Sequence, residues 1–459
     1  MSTTPNAADK MLAAAAPEWT KWAIGWHVYP LGFVGAPIRE KDRGAAPVNR
    51  IRKLIDWLPY VQELGLNVLQ LAPVFESTSH GYDTEDYYRI DSRLGTEEDM
   101  KAVIEAAHEH GIKVLFDGVF NHIGAEAPAL KTAKENPGSE EAQLFAFTHS
   151  NGDMTAPVFE GHEGLVEFDH TSDATADFVV DVMNYWLARG IDGWRLDAAY
   201  AVDPQFWRKV LPRVRAEHPH AYIYGEVIHG DYPEIVSVSS MDSVTEYELW
   251  KATWSALKEE NFFELDWTLK RHNTFTESFV PVTFVGNHDV SRIATQVGPD
   301  KAVLAATVLF TVAGVPLVYY GDEQGYTGTK EERIGGDDQV RPVFPDSPEE
   351  LSTLGEELYR SYQQLVAMRR RFPWLHSARV ETDELRNGFL RYRVIATDAA
   401  LVSGGAGGAG DFKGAGASGA SGASGASGEM PSLVVELNLE NGATSAVIRH
   451  GDQVEFEFS

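Results

Sequence analysis

A chain of 459 residues can hold one large domain with smaller ones attached, with ample material for a core. Its 43% hydrophobic and 11% aromatic content suits a folded globule and not a disordered chain. The formal net charge of −29 disfavours nucleic acid as a partner, and the absence of cysteine excludes disulfides and thiolate-bound metals.

No stretch approaches the ~20 apolar residues needed to span a bilayer, so no membrane is expected as a partner. Residues 1–21 open with MSTTPNAADKMLAAAAPEW, whose alanine run is short and preceded only by Lys10. They are expected to be a disordered lead-in and the protein cytoplasmic, since a secretory signal has a longer apolar stretch and a more basic start.

From residue 22 to about 372, short apolar runs alternate with amphipathic segments. Strand candidates follow in the order WAIGWHVYPLGF, LNVLQLAP, IKVLFDGVF, IDGWRLDAA, AYIYGEV, the weaker SMDSVTEYEL, VPVTFVGN and VPLVYYGD. Between most of them lie helix-like stretches such as NRIRKLIDWLPYVQEL and ATADFVVDVMNYWLARG. Eight strands separated by helices predict an α/β fold, a (β/α)8 TIM barrel over 22–122 and 172–375. The polar, irregular residues 123–171 after the third strand are expected to form a short excursion domain. Residues 376–459 carry runs such as GFLRYRVIA, SLVVELNL and QVEFEFS, which predict a small C-terminal antiparallel β domain. Within it, residues 404–428 hold 11 of the 41 glycines in an Ala-Ser-Gly-rich tract, expected to be a flexible insertion without chemistry of its own.

The functional residues of such a barrel sit at the C-terminal ends of its strands. The third strand ends in Asp117, Asn121 and His122, and the fourth carries Arg195 and Asp197 on one face. The fifth ends in Glu226, the seventh in His288 and Asp289, and the loop after the second holds His80, Tyr82 and Asp83. Taken singly each has a plain structural reading: Asp117 as a helix cap or ion-pair partner, His122 as a hydrogen-bonded core histidine, Tyr82 as packing. Arg195 and Asp197 alone read equally well as a buried structural pair. Together, carboxylates, histidines and an arginine converging on one rim gain nothing structurally. Crowded acids drive pKa values apart, and glycoside hydrolysis needs one ionised and one protonated carboxyl group.

With these residues in view the chain resembles the α-amylase family of glycoside hydrolases. Four motifs match in order: DGVFNH at 117–122, GWRLDAA at 193–199, GEV at 225–227 and FVGNHD at 284–289. GYDTEDYYRIDSRLGTEEDM and YYGDEQG also look like family segments, so the similarity spans about 22 to 375. The resemblance implies Asp197 as nucleophile, Glu226 as acid/base and Asp289 as a third carboxylate gripping sugar hydroxyls. It also implies hydroxyl binding by His122 and His288, a sugar stacked on Tyr82, and Asp117 steadying Arg195. Arg195 is expected to keep Asp197 ionised by lowering its pKa.

No cofactor is implied for the chemistry. Many members hold a structural calcium, for which Asn121 and Glu167 would be the donors. One departure bears on this: Tyr200-Ala201 stands where calcium-binding members often carry Lys-His; a second, that LVEFDH lacks a usual proline, leaves the subfamily open. The implied activity is retaining hydrolysis of α-1,4 links in maltooligosaccharides or starch-like α-glucans. An α-glucosidase or transglycosylase of the same family, and more remotely an inactive glycan-binding scaffold, remain alternatives. Oligomeric state stays open.

Overall fold

The computed structural model describes residues 16–39, 41, 46–150, 153–398, 401–402 and 430–459. The tract at 404–428 and most of the lead-in therefore lie outside the described residues. Eight short parallel strands form the central sheet: β1 (Gly25–Val28), β2 (Val68–Leu71), β3 (Lys113–Gly118), β4 (Gly193–Leu196), β5 (Tyr222–Gly225), β6 (Ser243–Val244), β7 (Val282–Phe284) and β8 (Val315–Tyr319). Their order is β6-β5-β4-β3-β2-β1-β8-β7. The ends meet through a parallel bridge between Thr245 and Val282, and the Glu246 amide donates to the Val282 carbonyl at 2.9 Å. This is the (β/α)8 barrel that the alternating pattern predicts.

Helices cover the outside: α1 (Lys53–Glu63), α2 (Glu97–Glu109), α3 (Asp173–Leu187), α4 (Pro204–Glu217), α5 (Tyr232–Ser239), α6 (Tyr247–Glu259), α7 (Phe263–Thr276), α8 (Pro299–Thr311) and α9 (Glu356–Arg371). Local chemistry sets their starts. Thr96 and Asp99 form a reciprocal capping box at α2, and the Asp203 side chain accepts from the Gln205 amide at α4. Between strands and helices lie wholly buried tryptophans, among them Trp26, Trp57, Trp186, Trp194 and Trp207. Among the described residues no helix is long and apolar enough to cross a membrane.

Three expectations change in detail. The lead-in expected through residue 21 gives way earlier: Glu18–Trp22 is a 3-10 helix, because Trp19 lies edge-on to Tyr222 at 5.8 Å and its indole donates to the His220 carbonyl. The first strand stops at Val28 because Pro30 starts the one-turn helix Pro30–Phe33. The sixth strand shrinks to two residues, and the hydroxyl of Thr245 just beyond it hydrogen-bonds the backbone of Val227, past the end of β5.

After β3 the chain leaves the barrel. His122–Gly124 pairs antiparallel with Leu165–Glu167, and helix Pro128–Glu135 and a 3-10 turn at Phe159–Gly161 lie between them. The C-terminal strands β9 (Arg379–Arg386), β10 (Phe389–Ile395), β11 (Ser432–Asn438), β12 (Ser445–His450) and β13 (Gln453–Phe458) form one antiparallel sheet in sequence order. It docks on α7, where the Asn273 amide group exchanges two hydrogen bonds with the backbone of Val380.

Candidate active site

Strand register assembles the charged cluster. In the β3–β4 ladder Arg195 lies opposite Asp117, and two residues further along β4 Asp197 points to the same side. Arg195 Nη1 donates to Asp117 Oδ2 at 2.5 Å and to Asp197 Oδ1 at 3.1 Å, while Nη2 stands 2.9 Å from Glu226 Oε1. One guanidinium thus serves three carboxylates, and all four side chains are buried. Glu226, just past β5, also accepts from the Ala198 amide at 3.0 Å and from the Tyr247 hydroxyl at 3.0 Å. Ala198 itself stands in the left-handed region, with φ of 45°, rare for a residue with a Cβ.

The opposite wall comes from β7 and the segment after β8. His288 Nε2 lies 2.9 Å from Asp289 Oδ2, and Arg341 Nη2 donates to Asp289 Oδ1 at 2.8 Å. Arg341 also donates through Nε to the His288 carbonyl, so one buried arginine holds both residues. Gly286 is dictated by space, because a Cβ there would run into the Asp322 carboxylate, itself paired with Arg292. The Tyr82 ring lies parallel to His288 at 5.2 Å; its hydroxyl meets His288 Nε2 and donates to Asp117 Oδ2 at 3.1 Å. Tyr82 therefore joins the two walls. His122 is tied to this network through its Nε2, 3.0 Å from the Tyr82 carbonyl, and its ring stacks on Phe159.

The electrostatics differ from the expectation at one point. Burial pushes the Asp197 carboxyl well above its ordinary range; Arg195 pulls it down, but Glu226, Asp117 and Asp289 push it up again. Arg195 therefore opposes the rise without reversing it. Burial also raises Asp289, yet His288, Arg341 and Arg195 together bring it well below the ordinary carboxylate range. Burial likewise leaves Asp117 raised against the pull of Arg195. The rim thus separates its aspartates: Asp289 is held firmly ionised, and Asp117 and Asp197 hold protons more tightly.

Asp117, Arg195, Asp197, Glu226, Tyr82, His288 and Asp289 fall in one connected network, with His122 at its edge. Asn121 reaches it through His122, and Glu167 has no side-chain bond into it among the described residues. The Asn121 amide nitrogen lies 3.1 Å from His122 Nδ1, and Glu167 pairs across the ladder from His122. One carboxylate and one amide fall well short of the six to eight oxygens calcium takes. Among the described residues no group of three or more His, Asp or Glu side chains could hold a metal ion. These two side chains alone do not make up a calcium site.

Three members went unassigned in the sequence. Asn287, inside a quoted motif, donates to the Tyr247 hydroxyl at 2.9 Å and accepts from the Asp289 amide. Tyr247 follows the shortest strand, and Arg341 lies in the irregular segment GGDDQVRPVF, where no period marks it.

An eight-stranded parallel barrel with three carboxylates gathered by an arginine at its C-terminal rim places the protein among the carboxylate-centred (β/α)8 barrels. A family model, the alpha-amylase catalytic domain, matches residues 48–352, and the chain belongs to the alpha-amylase family of glycoside hydrolases. It is 29% identical over 383 residues to a cyclomaltodextrinase of Geobacillus thermopakistaniensis, covering 78% of this chain and 63% of that one. A maltogenic alpha-amylase of Bacillus acidopullulyticus is 28% identical over 386 residues, covering 78% and 64%. The chain thus spans less than two thirds of the length of these curated relatives. In fold it is similar to the ligand-free cyclic alpha-maltosyl-(1→6)-maltose hydrolase from Arthrobacter globiformis, with a TM-score of 0.74 at 22% identity over 95% of this chain and 98% of that one.

Proposed function

We propose that the protein is a retaining hydrolase of α-1,4-glucosidic bonds in maltooligosaccharides or related α-glucans. The observation that supports this most is that Asp197 and Glu226 are held on the two terminal nitrogens of one guanidinium while Asp289 is held apart by Arg341 and His288. In this reading Asp197 attacks the anomeric carbon as Glu226 gives its proton to the departing oxygen. Water then loses a proton to Glu226, attacks the same carbon and frees Asp197; two inversions give net retention. Asp289, ionised, grips sugar hydroxyls and with its neighbours stabilises the positive charge of the oxocarbenium-like transition state. Tyr82 supplies a ring for the sugar at the cut, His122 and His288 contact its hydroxyls, and Asp117 anchors Arg195. No cofactor enters any step.

The names of the relatives, cyclomaltodextrinase and maltogenic alpha-amylase, agree with a preference for small maltooligosaccharides. A cytoplasmic location belongs to the same proposal. Proton NMR of maltoheptaose digestion tests the reading: the first product carries the α-anomeric signal, and chain-length analysis separates internal cuts from stepwise glucose release and from transfer. A first product in the β-anomer would sink the retaining mechanism.

A further inference from the structure

Tyr247 opens α6 just past β6 and is buried, its ring edge-on to Phe284 at 4.9 Å and to Trp250 at 5.7 Å. Its hydroxyl has two polar neighbours, Glu226 Oε1 at 3.0 Å and Asn287 Nδ2 at 2.9 Å. A third bond fixes the direction of both. Asn287 Oδ1 accepts from the Asp289 amide at 2.9 Å, so the nitrogen of the Asn287 side chain is the end that faces Tyr247. That nitrogen only donates. The hydroxyl therefore accepts from Asn287 and gives its single hydrogen to Glu226. Burial raises the Tyr247 phenol well above its ordinary value, so it remains a donor at neutral pH.

The two oxygens of Glu226 are unequal in consequence. Oε1 has the Tyr247 hydroxyl and the Arg195 guanidinium against it, at 3.0 and 2.9 Å. Among the described residues Oε2 meets one donor, the Ala198 amide at 3.0 Å, which leaves a lone pair for a proton. A proton on Oε1 would instead face a cation and the hydrogen of a hydroxyl. We propose that Tyr247 is a positioning residue of the acid/base group: its hydroxyl, aimed by Asn287, keeps Oε1 occupied so that Oε2 carries the proton passed to the leaving oxygen. This rests on the reading of Glu226 as that acid. In the step the Oε2–H bond breaks as an O–H bond forms on the leaving group. The electron pair of the glycosidic bond goes to that oxygen while Asp197 closes on the anomeric carbon, and Oε2, left ionised, then takes a proton from the attacking water.

Tyr247→Phe keeps the ring and its packing and removes the donor. Maltotriose needs its leaving oxygen protonated, whereas α-maltosyl fluoride releases fluoride with little help from an acid. The ratio of kcat/KM on maltotriose to kcat/KM on α-maltosyl fluoride is expected to fall about tenfold, part of the ~10²- to 10⁴-fold that a general acid supplies. The alkaline limb of kcat/KM on maltotriose should move to higher pH by about one pH unit, because the ionised form of Glu226 loses a donor. Arg195 and Asp197 from β4, Asp117 from β3 and the phenols of Tyr200 and Tyr224 also face Glu226, with Asp289 beyond Tyr247, and the substitution keeps them all. A tyrosine wanted only for packing would change both activities by one factor and leave the limb in place. An unchanged ratio or an unmoved limb overturns the proposal and leaves the hydrolase reading intact. A wild-type protein that cleaves neither substrate overturns both.

Discussion

The two ends of the barrel hold Arg195 and Arg369 by opposite means. At the C-terminal rim Arg195 and Arg341 are surrounded by carboxylates, side chain against side chain. At the N-terminal end the interior is a plug of Ala23, Val68, Leu115, Tyr222, Val282, Val315 and Leu317, and the nearby buried cation Arg369 has backbone partners. Its guanidinium donates to the carbonyls of Phe310, Val312 and Gly314 at 3.0, 2.8 and 2.7 Å, closing the C-terminal end of α8 and the start of β8. Burial, with Arg370 beside it, drops the Arg369 pKa to about 9. Carbonyl dipoles satisfy a charge without offering a proton; carboxylates leave protons to exchange. One end is built to stay put and the other to react.

That contrast breaks most visibly at the rim. Asp197→Asn and Glu226→Gln each remove an oxygen the chemistry uses while keeping shape, and kcat on maltoheptaose is expected to fall by about 10⁴-fold or more, with the thermal midpoint near that of the wild type. Retention of near wild-type turnover in either variant would overturn the assigned roles. The raised Asp197 carboxyl adds a pH signature, since attack requires its ionised form. Therefore kcat/KM should decline with falling pH already above the ordinary carboxylate range, which a pH profile reads directly.

Arg369→Met tests the other end. It leaves three buried carbonyls without their donor, at an expected cost of about 3 to 4 kcal/mol in urea unfolding. Turnover per folded molecule should stay within about twofold, because the site lies at the opposite mouth of the barrel. A variant that folds normally but loses turnover would show that the two ends are coupled.

Glu323 follows β8 on the rim side but stands outside the carboxylate network. It is buried behind β8, accepts from the Tyr60 hydroxyl at 2.9 Å and the Gly321 amide at 3.0 Å, and burial raises its pKa from 4.5 to about 7. The folded state therefore binds more protons than the unfolded chain between these values, and stability falls as pH rises from 4.5 through 7. Against Glu323→Gln, the wild type should lose about 3 kcal/mol across that window and little above it. Any constant cost of the glutamine cancels in the slope; parallel pH dependences would show that Glu323 does not titrate there.

The rim was more legible in the sequence than the forces within it. Arg195 and Asp197 could be placed on one face because strand alternation is a strict period, and Glu226, His288 and Asp289 because each follows a short apolar run. Arg341 could not be found that way: it comes from an irregular stretch 52 residues from Asp289, and only the folded chain brings them together. The sign of the Asp197 shift was missed for a different reason. An i, i+2 pair shows the one cation, whereas burial and three further carboxylates arrive from β3, β5 and β7. The sixth strand was blurred because two residues carry no period at all. Asn121 and Glu167 were drawn in by resemblance, and among the described residues no group of three or more acidic or histidine side chains gathers to hold a metal.

The smallest effect is expected in the connection between two strands of the C-terminal sheet. The tract at 404–428 joins β10 to β11, and in that ladder Ile395 lies directly opposite Ser432. Paired strand residues are about 5 Å apart, so the connection can be made by a turn of a few residues, and the closure entropy changes only slowly with loop length. Replacing 404–428 with a four-residue Gly-Asn-Gly-Ser link should change kcat/KM on maltotriose by less than about twofold, because nothing in the cleft network is drawn from this sheet. Unfolding stability should rise by about 0.8 kcal/mol, as the shortened connection between the two strands loses less entropy on closing. A large loss of activity with an unchanged unfolding midpoint would show that the tract acts on substrate and is more than a connection.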